Sequence, residues 1–295
     1  MTKTTKLLLN WLQKTHLDYP TLILLNNKII NHFLLAYGWQ IQDAASFELQ
    51  FKDWEEKLKQ AGINLTNKNV LEVGAGGSVG VGYFFLNKGV SKWVASDVFH
   101  SLKDDQRLIK RESKLISNLK AKFIPNINQW VKVNRRQLEF SSQVDFVKQD
   151  LVTFKPEWES QFGAVVSSAV FEHVEKEKVQ TAIANLARYL EPGGYLIHDI
   201  DLRDHINVSQ PFHFYRYSNA VWDKLTKGTI FYTNRLRASD FASFFQSVGL
   251  TEVMSIKENK QQLANSLLAP DFKLYQESDL LTTRLFTIWQ KTHHV

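Results

Sequence analysis

Cysteine is absent from this chain, which excludes disulfides and thiolate metal sites and fits a reducing compartment. No apolar run approaches the roughly 18 residues of a membrane span, and the run from Leu22 to Leu25 is cut by Asn26-Asn27-Lys28. The N-terminus lacks a small-residue cleavage site. These absences predict a soluble cytoplasmic protein without membrane attachment. A disordered composition is missing as well: 44% of residues are hydrophobic and 22% charged, as in ordinary globular proteins. At 295 residues the chain suffices for one large domain, or for a core domain with an added cap.

The net charge of +6 is unevenly placed. Between Lys103 and Arg136 ten Lys/Arg stand against Asp104, Asp105 and Glu112, which is 10 − 3 = +7, so the rest sums to 6 − 7 = −1. Basicity is therefore local. It suits either a solvated helix face or the attraction of a substrate bearing phosphate, carboxylate or a carrier-protein surface.

What is present centres on residues 69–80, Asn-Val-Leu-Glu-Val-Gly-Ala-Gly-Gly-Ser-Val-Gly. Val70, Leu71 and Val73 form a short apolar run stopped by glycines, which reads as a buried parallel strand. Gly74, Gly76 and Gly77 let the backbone lie against a ligand, and a helix from Val79 to Leu86 would aim its free N–H groups at the same crevice. A P-loop needs Gly-Lys-Ser/Thr, and Gly77-Ser78-Val79 stands there instead. A dinucleotide fold suits the turn less well, because Glu72 would sit poorly beside a pyrophosphate. A carboxylate there suits a ligand carrying an ammonium group.

At these residues the chain resembles the class I S-adenosylmethionine-dependent methyltransferases of the small-molecule type, whose first motif is an acid followed by Gly-x-Gly-x-Gly. Glu72, Gly74, Gly76 and Ser78 occupy its positions. The third glycine is a serine, and Gly77 or Gly80 is the candidate to take its role.

Residues Lys92 to Asp97 read as a second strand ending in an acid, at the spacing of a βαβ unit whose terminal acid accepts from ribose hydroxyls. Val144 to Val147 reads as a third strand. By the resemblance, Asp150 and Leu151 contact the adenine, the carboxylate accepting from its amine and the leucine covering a ring face. A fourth strand at Ala164–Ser168 leads to Phe171-Glu-His-Val174. A helix with Val179, Ile183, Leu186 and Leu190 on one face stops before Pro192-Gly193-Gly194, and Tyr195 to Ile200 is a fifth strand. This succession is the most specific part of the resemblance, which covers roughly residues 67–205. It implies cofactor contacts from Glu72, Gly74, Ala75, Gly76, Gly77, Asp97, Val98, Asp150, Leu151 and Ser167. Two more strands, Leu250–Ile256 and Leu281–Trp289, would complete the family's Rossmann-like α/β fold. That fold is a seven-stranded, mostly parallel sheet with an antiparallel last strand and helices on both faces.

Residues 1–66 read as an N-terminal helical cap, and 67–295 as the main domain with an insertion at about 99–141. Leu8, Trp11 and Leu12 share a helical face, as do Leu22, Leu25, Ile29 and Phe33, and then Phe47, Phe51, Trp54 and Leu58. They are expected to form a partial lid.

The family transfers a methyl group by in-line displacement, and a hydroxyl acceptor also needs a base. His173, His198, Asp201, His205 and His213 are the candidates, since histidine titrates near neutrality, with His205 favoured. Asp199 and Asp201 alternate along a strand, so only one is expected to face the crevice. Asp199, Asp201, Asp204, His198 and His205 could together hold a divalent ion. A salt-bridged turn involving Arg203 is the preferred reading, and no metal is assigned. The expected substrate is a small or carrier-linked metabolite, sugar-like or secondary, methylated at oxygen, with nucleic acid disfavoured. The basic cluster keeps an RNA methyltransferase as an alternative, and a non-catalytic cofactor-binding subunit is the other.

Overall fold

The run that the glycines follow is an inner strand of the sheet: β1, Asn69–Val73, whose last four residues are all buried. Burial on both faces is what a continuous apolar run requires. The structure, a computed structural model, describes residues 19–25, 42–103, 105–134, 137–207, 210–229, 231–260 and 268–292. Within these, β2 (Lys92–Asp97), β5 (Val144–Lys148), β6 (Phe162–Ser168), β7 (Leu190–Asp201), β8 (Leu250–Asn259) and β9 (Thr282–Lys291) join β1 in one sheet, ordered β5-β2-β1-β6-β7-β9-β8. Neighbours from β5 to β7 pair parallel, and β9 runs antiparallel to both β7 and β8. This is the expected Rossmann-like sheet with its reversed last strand.

Connections leave β1 in one direction toward β2 and β5, then return to its other side at β6. The carboxyl ends of β1 and β6 therefore flank a topological switch point, where open α/β sheets form their crevice. Alternate residues face opposite layers: Val70 belongs to one core and Leu71 to the other. The first core is closed by α2 (Ala44–Gln60), α3 (Gly80–Asn87) and α4 (Gln106–Lys122). The second is closed by α5 (Val179–Tyr189) and α7 (Ala238–Ser247). A third, aromatic cluster gathers Phe212, Phe214, Tyr215, Trp222 and Phe272 around α6 (Asn219–Thr226), and Ile23 of α1 (Tyr19–Leu25) is buried in it.

Two sequence readings change in detail. The basic segment is not one insertion: α4 is the crossover helix between β2 and β5. It buries Leu108, Ile109, Glu112, Leu115, Ile116 and Leu119 and leaves Lys110, Lys114, Lys120 and Lys122 exposed. What is added is the hairpin of β3 (Val131–Asn134) and β4 (Gln137–Phe140). Pro192-Gly193-Gly194 lies inside β7 as a shift in register between Phe162/Leu190 and Ala164/Tyr195, not as a turn before it.

Phe47, Phe51, Trp54 and Leu58 are buried on α2 as their spacing requires, but what they cover is α3. Phe51 stacks on Phe84 at 5.4 Å and meets Phe85 edge-on at 4.9 Å. The face of Leu8, Trp11 and Leu12, and most of that of Leu22, Leu25, Ile29 and Phe33, lie outside the described residues.

Candidate active site

The turn after β1 uses its glycines where side chains fail. Gly74 and Gly76 have φ values of 71° and 63°, in the left-handed region open to glycine. A Cβ on Gly74 would come within 2.2 Å of Val170 in the segment after β6. Gly76 is exposed, and a Cβ there would meet nothing within 4 Å, so the backbone opens onto free space. The missing third glycine is also explained. Ser78 donates its hydroxyl to Glu112 at 2.7 Å, and Gly80 provides the close packing, since a Cβ there would strike the Phe47 ring at 2.2 Å.

Asp97, ending β2, is the staple of this turn. Its Oδ2 accepts the Gly76 N–H at 3.0 Å, and its Oδ1 accepts the N–H groups of Phe99 at 2.8 Å and His100 at 3.0 Å. The Ala75 N–H donates to the Ser96 carbonyl at 3.0 Å. The acid thus sets the shape of the loop and stands at its edge.

Glu72 is 9% exposed and accepts from the Trp93 indole at 3.0 Å. Among the described residues no cation pairs with it. Burial pushes its pKa up to about 8 against the opposing Trp93 bond, and the nearby Glu112 and Asp97 carboxyls add smaller contributions to the rise. A buried acid among acids, beside an open glycine backbone, is matched by a cationic ligand group. The donor set therefore fits an ammonium-bearing nucleotide.

Glu112 is the member that sequence reasoning passed over. It reaches from α4 to the start of α3, accepting from Val79 N–H at 3.1 Å as well as from Ser78, and burial raises its pKa. Its signal was a lone acid on the apolar face of an amphipathic helix.

The remaining expected cofactor contacts divide. Asp150 is exposed and caps its own turn through Val152 N–H at 3.1 Å, with Leu151 half-buried beside it. Val98 is exposed just past Asp97. Ser167 is fully buried and bonded to His198 Nδ1 at 2.8 Å, so it belongs to the core and not to the crevice surface.

His198 is withdrawn in the same way. It is inaccessible between the Phe245 ring, stacked at 5.6 Å, and the edge of Phe171 at 4.7 Å, and burial lowers its pKa to about 3. The reason is strand alternation: His198 shares its face with Leu196 and Ile200, which pack under α5 and α7. By the same period Asp199 and Asp201 lie on one face together, not on opposite ones. Asp199 is buried under Arg284, whose Nε donates at 2.7 Å. Asp201 accepts from Arg203 Nε at 2.8 Å and Nη2 at 2.6 Å, which is the salt-bridged turn the sequence suggested. Asp204 binds Ile206 N–H at 2.8 Å within its loop. The five-residue ion cluster is therefore not assembled. His213 is half-buried, its Nδ1 3.1 Å from Gln210 Oε1.

His173 and His205 do meet. Their ring centres are 5.0 Å apart beyond the carboxyl ends of β6 and β7. Burial lowers the pKa of His173 to about 4, and its Nδ1 lies 2.8 Å from the Tyr232 carbonyl oxygen. His205 Nε2 is 3.5 Å from Asp201 Oδ2. Glu172, one residue before His173, completes the group.

Residues 123–198 match the family model described as a methyltransferase domain, which takes in β5, β6 and β7 as far as His198. No curated protein matches the chain. Solved structures similar to it include N-methyltransferase NodS from Bradyrhizobium japonicum WM9 in complex with S-adenosyl-L-homocysteine, 17% identical. There the alignment covers 91% of this chain and 100% of that one, with a TM-score of 0.48. A methyltransferase from Bacillus halodurans C-125 is 15% identical over 82% of this chain and 100% of its own, with a TM-score of 0.48. The CurJ carbon methyltransferase is 12% identical over 97% and 64%, with a TM-score of 0.45. Residues 123–198 thus match a methyltransferase domain, and the sheet in which they sit has the Rossmann-like order of the class I S-adenosylmethionine-dependent methyltransferases, the family this chain resembles.

Proposed function

We propose that this enzyme transfers a methyl group from S-adenosylmethionine to an oxygen of a small or carrier-linked metabolite. The observation that carries the reading is Glu72 and Asp97 at the ends of neighbouring strands around the open backbone of Gly76. Glu72 would receive the ammonium group of the cofactor, Asp97 the ribose, and Asp150 with Leu151 the adenine. The cofactor supplies an electrophilic methyl on a sulfonium, and the chain's residues hold, orient and exclude water.

The choice of oxygen rests on the adjacent polar group. A hydroxyl acceptor must lose a proton, and Glu172, His173 and His205 stand together at the next two strand ends, where such an acceptor would approach. The exposed lysines of α4 support a solvated face more than an RNA-binding one. Incubating the full chain with cell extract and cofactor labelled in the methyl group tests the reading. A small metabolite gaining one labelled methyl on oxygen is expected. Label appearing only in RNA, or only on nitrogen or carbon, would contradict it.

A further inference from the structure

Glu172 poses a problem of charge that its neighbours do not solve. It is 2% exposed, and among the described residues neither carboxyl oxygen has a hydrogen-bond partner. The backbone N–H groups of Glu172 itself and of Asp201 favour its charged form from nearby, but neither makes a hydrogen bond to it. A buried carboxyl left so is costly unless something cationic meets it.

Two imidazoles face the same spot. The Tyr232 carbonyl can only accept, so His173 donates from Nδ1 and carries its lone pair on Nε2. A backbone carbonyl holding the far nitrogen is how metal-ligating histidines are oriented. Among the described residues His205 Nε2 is buried without a hydrogen bond, with Asp201 Oδ2 3.5 Å away. The potential ligand atoms of Glu172, His173 and His205 lie within 4.8 Å of one another. Bonds of roughly 2.0–2.2 Å to a common ion would close that spacing with side-chain shifts of about 1 Å.

The backbone beneath is fixed. Glu172 and His173 share one helical turn, Phe171–His173. Asn234 clamps it, its Nδ2 donating to the carbonyls of Phe171 at 2.7 Å and Val174 at 2.9 Å and its N–H to that of Glu172 at 2.8 Å. Asn234 is in turn followed by the buried Arg235 and Arg237, so the turn rests on a rigid support.

We propose that Glu172, His173 and His205 form a binding site for one divalent transition-series cation, with a carboxylate and two imidazoles as ligands. One oxygen and two nitrogens suit zinc, manganese(II) or iron(II) better than magnesium or calcium, which take oxygen ligands. Asp201, whose Oδ2 lies 3.5 Å from His205 Nε2, is already held by Arg203. Where the methyl-transfer reading also holds, the cation would lower the pKa of an acceptor hydroxyl, and His205 would be a ligand rather than the base. The site itself does not depend on that reading.

The test is binding without any methyl donor, so its failure leaves the proposed function standing. Full-length protein freed of metal with a chelator is titrated with Zn²⁺ by calorimetry and with Co²⁺ by visible absorption. One ion per chain is expected, with Co²⁺ bands showing nitrogen ligation and a higher melting temperature when Zn²⁺ is present. E172Q and H205N should each weaken Zn²⁺ binding tenfold or more and abolish the thermal shift. H205N, at a half-buried position, keeps the test decisive if E172Q does not fold. No stoichiometric binding by the wild type would overturn the site. So would unchanged binding in both variants, as the His293-His294 pair of the sequence would give, or an equal affinity for Mg²⁺.

Discussion

At the scale of single residues, Glu72 makes the sharpest demand. An acid whose pKa rises from 4.5 to about 8 on folding holds its proton more tightly when folded. The stability it contributes is therefore fully present below the unfolded value and is lost as pH climbs from about 4.5 to 8. An ammonium ligand reverses this by drawing out the carboxylate. Between pH 6 and 7.5, cofactor binding should release a proton, and affinity should rise with pH. Calorimetry in two buffers of different ionisation enthalpy reads the proton, and E72Q should bind weakly with no release. For His205, replacement by alanine should lower turnover about 100-fold with cofactor affinity intact, measured by initial rates beside a cofactor titration. The acids at 72, 97 and 150 were legible because each lies at or just past the carboxyl end of a strand and motif spacing marks it. Trp93, Glu112 and Glu172 were not. Their importance lies in what they meet across the fold, at Glu72, at Val79 and at His205, and nothing local in the sequence carries those distances.

At the scale of elements, α2 shows what helical spacing can and cannot say. The period fixed which face of Ala44–Gln60 is apolar, but the same stripe serves a lid or a core layer, and only packing decides. Here Phe51 meets Phe84 and Phe85, so F51A should behave as a core truncation. A loss of about 3–5 kcal/mol and a melting temperature lower by roughly 10 °C are expected by calorimetric scanning. The reversed strand β9 is tied to β7 by the Arg284–Asp199 pair. R284A would leave Asp199 buried without its partner. Because Arg284 is itself 40% exposed, the cost should be about 2 kcal/mol, less than the ~3–5 of a fully buried pair. Denaturant unfolding measures it. The pair was invisible beforehand, since 85 residues separate its members. So was the register shift at Pro192-Gly193-Gly194, where a Pro-Gly-Gly signal that ordinarily marks a turn is absorbed within a strand.

At the scale of the whole molecule, the architecture was the most legible part. Short apolar runs and the helices between them mark all seven strand positions of the sheet. The resemblance supplied their order and the direction of β9, which the sheet then reproduces. The exposed lysines on α4 carry the local basicity outward and leave Glu112 inward, so the charge excess and the ligand crevice occupy different sides of one helix. Among the described residues no helix is long and apolar enough to cross a membrane. The arrangement as a whole gathers a glycine turn, two acids and a histidine pair at the carboxyl ends of four adjacent strands, β2, β1, β6 and β7. Its central claim is that Asp97 and the turn it holds receive the cofactor. Calorimetric titration of the full chain with S-adenosylmethionine, wild type beside D97A, tests this most directly. One cofactor per chain and a loss of about 1–3 kcal/mol in the variant are expected; equal affinity in the two proteins would contradict the account.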